Sequence, residues 1–175
     1  MSLVLQSSGG GSVTINEPAT ASNFTQTLPA ATGTVMVSGN MPAFSAYNNA
    51  ATSLTQNVAT KLAFQVKEYD TANCYDNVTN FRFTPNVAGY YVVNGMFQVA
   101  STAGYMGLTL YKNGAAYRRM GQAEPASGFT QGSVQLYLNG TTDYIELYAT
   151  QSAATQNTVV GSLQVYFQAC MIRSA

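Results

Sequence analysis

Apolar and polar residues alternate with a period of two along most of the chain, in short runs broken by Gly, Pro, Asn and Ser. Leu62, Phe64 and Val66 share one face of such a run, and Val93, Phe97 and Val99 share another that Gly95 interrupts. Leu108 and Leu110 alternate with Thr109 and Tyr111; Val134, Leu136 and Leu138 with Gln135, Tyr137 and Asn139; Ile145, Leu147 and Ala149 with Tyr144, Glu146 and Tyr148; Leu163, Val165, Phe167 and Ala169 with Gln164, Tyr166 and Gln168. Successive side chains of a strand point to opposite faces, so each run reads as a half-buried strand. No stretch carries a clean helical period, and the pattern predicts an all-β domain. Asn113-Gly114 lies between two runs and predicts a two-residue hairpin turn, whose two positions both need positive φ. Asn139-Gly140 predicts a slightly longer one. Many short strands with spaced turns build a sandwich, jelly roll or barrel.

Composition narrows the chemistry. Of 175 residues 46% are hydrophobic but only 8% are charged, seven basic and seven acidic, with no His and no Trp. An ordinary domain carries about 25% charged residues, so this surface is built from Ser, Thr, Asn, Gln and Tyr. Zero net charge with scattered cations argues against nucleic-acid or anionic-membrane binding. Without His there is no imidazole-activated nucleophile, His-ligated zinc or His acid-base catalysis. Cys74 and Cys170 can form at most one bridge, and two free, buried thiols are expected. No apolar run nears the roughly 20 residues of a membrane span, and Met1-Ser2-Leu3-Val4-Leu5-Gln6 lacks the basic and long apolar regions of a signal peptide. The expectation is a protein with no membrane insertion and no standard secretion route.

Residues 1 to about 40 have their own composition: Gly9-Gly10-Gly11-Ser12, a short alternating piece Val13-Thr14-Ile15, then a Thr, Ala and Ser-rich stretch with Pro18 and Pro29. Large apolar residues are too few here to close a core. The segment is expected to be extended or short-stranded and to order against other copies or a larger particle. Val13, Ile15, Phe24, Leu28 and Val35 are the candidate docking anchors.

Candidate chemical constellations are weak. Gly9-Gly10-Gly11 lacks the Gly-Lys-Ser/Thr ending of a phosphate cradle. Asp143 and Glu146, three apart, fall on opposite faces of a strand and cannot act together. Glu68 and Asp70 share a face, with Asp76 nearby, but fall short of a calcium ligand set of six to eight oxygens; a solvated edge is expected. Adjacent Arg118 and Arg119 point to opposite faces, one of them to a carboxylate at a subunit boundary. No catalytic residue, cofactor or metal site is assigned, and the protein is expected not to be an enzyme.

Pro42-Ala43-Phe44-Ser45-Ala46-Tyr47, the stretch from Phe81 through Thr84-Pro85 to Gly89-Tyr90-Tyr91, the hairpin Leu108 to Gly114, the pair Gly132 to Gly140 and Asp143 to Leu147, and Phe167-Gln168-Ala169 form an ordered series of motifs. The series resembles the trimeric jelly roll of the complement first-component globular heads and their tumour-necrosis-factor relatives. The resemblance covers about residues 42–172. It departs from the family where Phe-Gln-Ala replaces Phe-Ser-Gly and where Thr141-Thr142 are inserted. It implies an approximately ten-stranded jelly-roll sandwich over 41–175, homotrimeric, behind an N-terminal attachment segment over 1–40. The segment itself, from Gln6 to Ile15 and on through Thr27-Leu28-Pro29-Ala30 and Thr32-Gly33-Thr34-Val35, resembles a motif near such heads in bacteriophage fibre and appendage proteins. That resemblance implies a virion protein assembled in the host cytoplasm.

Twelve tyrosines are the remaining signal. Tyr90, Tyr91, Tyr137, Tyr144, Tyr148 and Tyr166 fall opposite, or at the edge of, the aliphatic alternation. Such rings can cover an outer sheet surface, pack at a subunit interface, or stack on sugars. The resemblance to trimers favours the interface, with Tyr47 added from the first core strand. The expected function is thus a non-enzymatic trimeric fibre-like or capsid-decorating appendage. Its expected partners are itself, other virion proteins and a host-surface glycan. A secreted or cell-surface trimeric binding module and a capsule-degrading enzyme are the alternatives.

Overall fold

The computed structural model describes residues 3–16, 19–23, 25, 27, 30, 35–37, 39, 41–101, 104–123 and 128–175. The chain divides into two units, Met1–Gly33 and Thr34–Ala175.

In the first unit β1 (Leu3–Gln6) and β2 (Ser12–Ile15) form an antiparallel hairpin. The three glycines make its turn: Gly10 has φ 86° and its N–H donates to the Ser7 carbonyl. Leu3 opposes Ile15 and Leu5 opposes Val13, so these four side chains lie on one face. All four are exposed.

The second unit holds β3 (Ala43–Tyr47), β4 (Ser53–Leu54), β5 (Thr60–Lys61), β6 (Val66–Asp70), β7 (Tyr75–Asp76), β8 (Arg82–Phe83), β9 (Gly89–Gln98), β10 (Met106–Lys112), β11 (Ala115–Ala123), β12 (Phe129–Leu138), β13 (Ile145–Gln151), β14 (Gln156–Asn157) and β15 (Tyr166–Ser174). A five-stranded sheet runs β12-β9-β15-β3-β6, and a second runs β11-β10-β13-β8-β7 with β5 also on β13. The inward side chains of both sheets form one core. Phe44 stacks on Tyr75 and Phe83 from the opposed sheet at 4.5 and 4.6 Å and meets the edge of Phe167 at 4.9 Å. The gap that Gly95 leaves in the inward row of β9 is filled by Leu147 of the opposed sheet, whose Cδ1 occupies the space a Cβ would need. Asn113 and Gly114 take φ 54° and 80° and close the β10–β11 hairpin, as their sequence predicts.

The structure corrects four expectations. Leu163 does not join the last strand: it is 85% exposed, because Gln164 and Val165 fold back to donate to the Gly161 carbonyl and β15 starts only at Tyr166. Val66 opposes Tyr47 and shares its outward face, parting from Leu62 and Phe64, which are buried in the connection between β5 and β6. Tyr91 is fully buried, its hydroxyl donating to the Val87 carbonyl at 2.6 Å, so its ring belongs to the protomer's own core and is no interface residue. Both cysteines are free, but Cys170 is exposed rather than buried, since it falls on the outward phase of β15.

Candidate self-assembly surface

The outward face of the five-stranded sheet is organised in rows fixed by strand register. One row runs Gln131, Met96, Tyr166, Tyr47, Val66 across all five strands. The next is polar through Ser133, Asn94, Gln168 and Ser45, whose Oγ donates to Glu68 Oε2 at 2.6 Å, and ends on Tyr69 of β6. A third runs Gln135, Val92, Cys170, Ala43. The last is Tyr137, Tyr90 and Arg173, with the guanidinium 5.3 Å from the Tyr90 ring and the two tyrosines edge to face at 5.7 Å. Among the described residues the formal charges at these rows are Arg173 at one end and Glu68 at the bulge of the outer strand β6. Two shallow hollows open on the face. One of 420 Å³ is lined by Asn94, Gln131, Gly132, Ser133, Tyr166 and Gln168; the other, of 400 Å³, is lined by Tyr90, Gln135, Ile172 and Arg173.

Of the candidate interface tyrosines, the structure therefore gathers Tyr47, Tyr90, Tyr137 and Tyr166 on one face. Tyr144 and Tyr148 lie on the outward side of the opposite sheet, where Tyr148 stacks on Tyr111 at 3.8 Å. Sequence reasoning missed Met96, Val92, Asn94, Gln168 and Val66; the signal was the run of uncharged residues on the polar phase of β9. Of the candidate docking anchors, Val13 and Ile15 are 63% and 55% exposed in the hairpin and Val35 is 70% exposed. Phe24 and Leu28 lie outside the described residues.

The carboxylates of the described residues are dispersed and internally engaged. Asp70 accepts from Lys67 at 3.1 Å and from the N–H groups of Cys74 and Tyr75. It is thus held within its turn, while Glu68, displaced by the bulge opposite Ser45/Ala46, is turned to Ser45; the pair is no common cation edge. Asp76 caps the loop over 78–80. Asp143 meets Lys112 at 2.8 Å, and Glu146 meets Lys61 at 3.0 Å. Within the protomer Arg118 and Arg119 lie 5.5 and 5.4 Å from the ring centroids of Tyr117 and Tyr105. Among the described residues no group of three His, Cys, Asp or Glu side chains converges as a metal site.

No protein-family model matches the sequence, and no curated protein does. Solved structures do match. Murine APRIL superposes with a TM-score of 0.60 at 10% identity, over 75% of this chain and 99% of that one. The globular domain of zebrafish complement 1qA protein gives 0.55 at 17%, over 77% and 98%. The fold is the tumour-necrosis-factor and complement-head jelly roll. PRD1 vertex protein P5 shares it, with a TM-score of 0.56 at 12% identity over 77% of this chain and 98% of that one. The jelly-roll motifs fall on its strands: Ala43–Tyr47 is β3, Gly89-Tyr90-Tyr91 opens β9, and Phe167-Gln168-Ala169 lies in β15.

Proposed function

We propose that this chain is a non-enzymatic structural and binding module that assembles as a homotrimer and is carried on a virus particle as a fibre-like or capsid-decorating appendage, with host-surface attachment as its role there. The observation that supports assembly is the nearly uncharged outer face of the five-stranded sheet, which carries Tyr47, Tyr90, Tyr137 and Tyr166 together with Met96, Val92 and Val66. Depletion of charge with enrichment of Tyr and Met is the composition of an interface core. In a closed three-fold ring the contact is heterologous, so this face meets a different surface of the next copy. The number three is supported by the jelly-roll fold shared with the trimeric tumour-necrosis-factor and complement heads. The virion reading is supported by the fold shared with PRD1 vertex protein P5 and by the phage-appendage resemblance of residues 1–40. In this reading that segment carries particle attachment, with Val13, Ile15 and Val35 among its anchors.

Native mass measurement at micromolar concentration tests the assembly, and Cys170 supplies a local reporter. The expected result is a trimer whose Cys170 reacts slowly with a thiol reagent until the trimer is dissociated. A monomer, or a trimer with a fully reactive Cys170, overturns the assignment of this face. Labelled protein located on purified particles by electron microscopy tests the virion reading.

A further inference from the structure

The outer face of the second sheet differs in kind. Along β13 and β10 the tyrosines form a line: Tyr144, then the Tyr148–Tyr111 stack, then Tyr105, whose ring lies over Gly107 where a Cβ would otherwise stand. Tyr144 directly precedes β13, and Gly107 opposes Thr150 six residues further along, so the line is about 20 Å long. A guanidinium covers the ring at each end: Arg82 lies 4.4 Å from the Tyr144 centroid, and Arg119 lies 5.4 Å from that of Tyr105.

Among the described residues no carboxylate lies within ion-pair distance of Arg82 or Arg119. Two described acids close to this line, Asp76 and Glu146, are engaged elsewhere. Asp76, opposite Arg82, is turned onto the amides of residues 78–80, and Glu146 is neutralised by Lys61. A guanidinium carries five N–H donors, so one placed over a ring still has donors to offer an anion, and Arg119 gives one of its own to Gln122 Oε1 at 3.4 Å. Phenol rings offer flat apolar faces with hydroxyls at their rims, suited to the C–H faces and hydroxyls of pyranose units. Two cations separated by a tyrosine line match an extended chain that carries anionic groups at intervals. They do not match a single small anion or a neutral apolar partner.

We infer that the face bearing Arg82, Tyr144, Tyr148, Tyr111, Tyr105 and Arg119 binds an acidic, carboxylate-bearing polysaccharide laid along β13 and β10. This deepens the proposed attachment role and rests on that reading of the chain as a binding module.

Full-length protein is titrated with polygalacturonate, with neutral dextran and with double-stranded DNA, and its native mass is recorded in parallel. Polygalacturonate is expected to bind with an affinity that falls as salt rises, with dextran and DNA at least tenfold weaker. Arg82→Gln and Arg119→Gln are each expected to weaken it at least fivefold, and Tyr148→Ala to do so without changing the salt dependence. Arg119→Lys, which keeps the charge on an exposed strand, is expected to retain part of the affinity and guards against misfolding. Failure to bind polygalacturonate, equal binding of dextran or DNA, or unchanged affinity in both glutamine variants overturns the inference. A monomer that still binds polygalacturonate overturns the assembly and leaves this surface standing; a trimer that does not bind it does the reverse.

Discussion

Lys61 Nζ lies 3.0 Å from Glu146 Oε1, and that carboxylate belongs to a side chain only 7% exposed. The ammonium also donates to the Asn80 carbonyl at 3.1 Å, so it ties β13 to the loop before β8. Removing one member of a buried pair strands the other charge, which costs more than the pair itself contributes. Lys61→Met is expected to destabilise the protein by roughly 1–2 kcal/mol, at the lower end because Lys61 is itself a third exposed. The double variant Lys61→Met with Glu146→Leu is expected to recover most of that loss. Urea midpoints of the three proteins check it, and a double variant no better than the single would show that the pair does not act as a unit.

Among the described residues, two aspartates tie stability to acid pH. The N–H groups of Thr79, Val78 and Asn80 and the Asn80 side chain hold the Asp76 carboxyl far below its ordinary 3.8. At Asp143 burial pushes the pKa up, but the Asn113 amide, Lys112 and the Asn139 N–H together outweigh it and leave the pKa low. Carboxyls depressed in the folded state contribute stability that is present above their unfolded pKa and lost as pH falls through the folded one. The urea midpoint is therefore expected to be flat from neutrality to about pH 4 and to decline below it. Asp76→Asn is expected to be less stable at neutrality and to show a shallower acid decline. An unchanged acid slope in that variant would remove Asp76 from the account.

Much of this fold was legible because its strands are half-buried and alternate cleanly. From Ser133 to Leu138 of β12 and from Ile145 to Thr150 of β13 the inward phase is aliphatic and the outward phase polar or tyrosine, and period two decides the face of each residue. The alternation misled where tertiary context overrode it. Tyr91 occupies the inward phase of β9, but a tyrosine reads as an outward residue until its hydroxyl is seen to find the Val87 carbonyl inside. The Leu163 run looks like Leu136 and Leu147, yet the turn at Gly161 detaches it from the strand. The candidate surface was half legible: alternation places Tyr137 and Tyr166 outward, but only strand order separates their sheet from that of Tyr144 and Tyr148. Which strands adjoin is a non-local property, and here β9 lies between β12 and β15. No spacing in the sequence encodes that.

The separation of the two tyrosine faces makes a differential test possible. Tyr166→Lys puts a strongly hydrated ammonium into the row between Met96 and Tyr47, where a second copy would have to desolvate it. It is expected to shift the assembly to monomer at micromolar concentration with little loss of protomer stability. Tyr148→Lys places the same charge on the opposite sheet and is expected to leave the oligomer intact. Native mass of both variants decides it: dissociation by Tyr148→Lys but not Tyr166→Lys would move the interface to the other face.

The N-terminal hairpin holds its four aliphatic side chains exposed on one face. A two-stranded hairpin is marginal by itself in water, and ordering each residue of the segment costs about 1–2 kcal/mol in backbone entropy. No residue from Leu3 to Asn16 is charged, so a covering surface has no ion to desolvate on this element. Coverage of Leu3, Leu5, Val13 and Ile15 by a particle surface or by neighbouring copies would supply the apolar burial that the segment lacks. Deleting residues 2–38 is therefore expected to leave a folded, trimeric jelly roll that no longer incorporates into particles. Val13→Asp with Ile15→Asp is expected to reproduce that loss in the full-length chain without changing its native mass. Circular dichroism, native mass and particle incorporation read the three properties separately. Incorporation of the truncated protein would transfer attachment to the jelly roll, and failure of the truncated protein to fold would place the segment in its core.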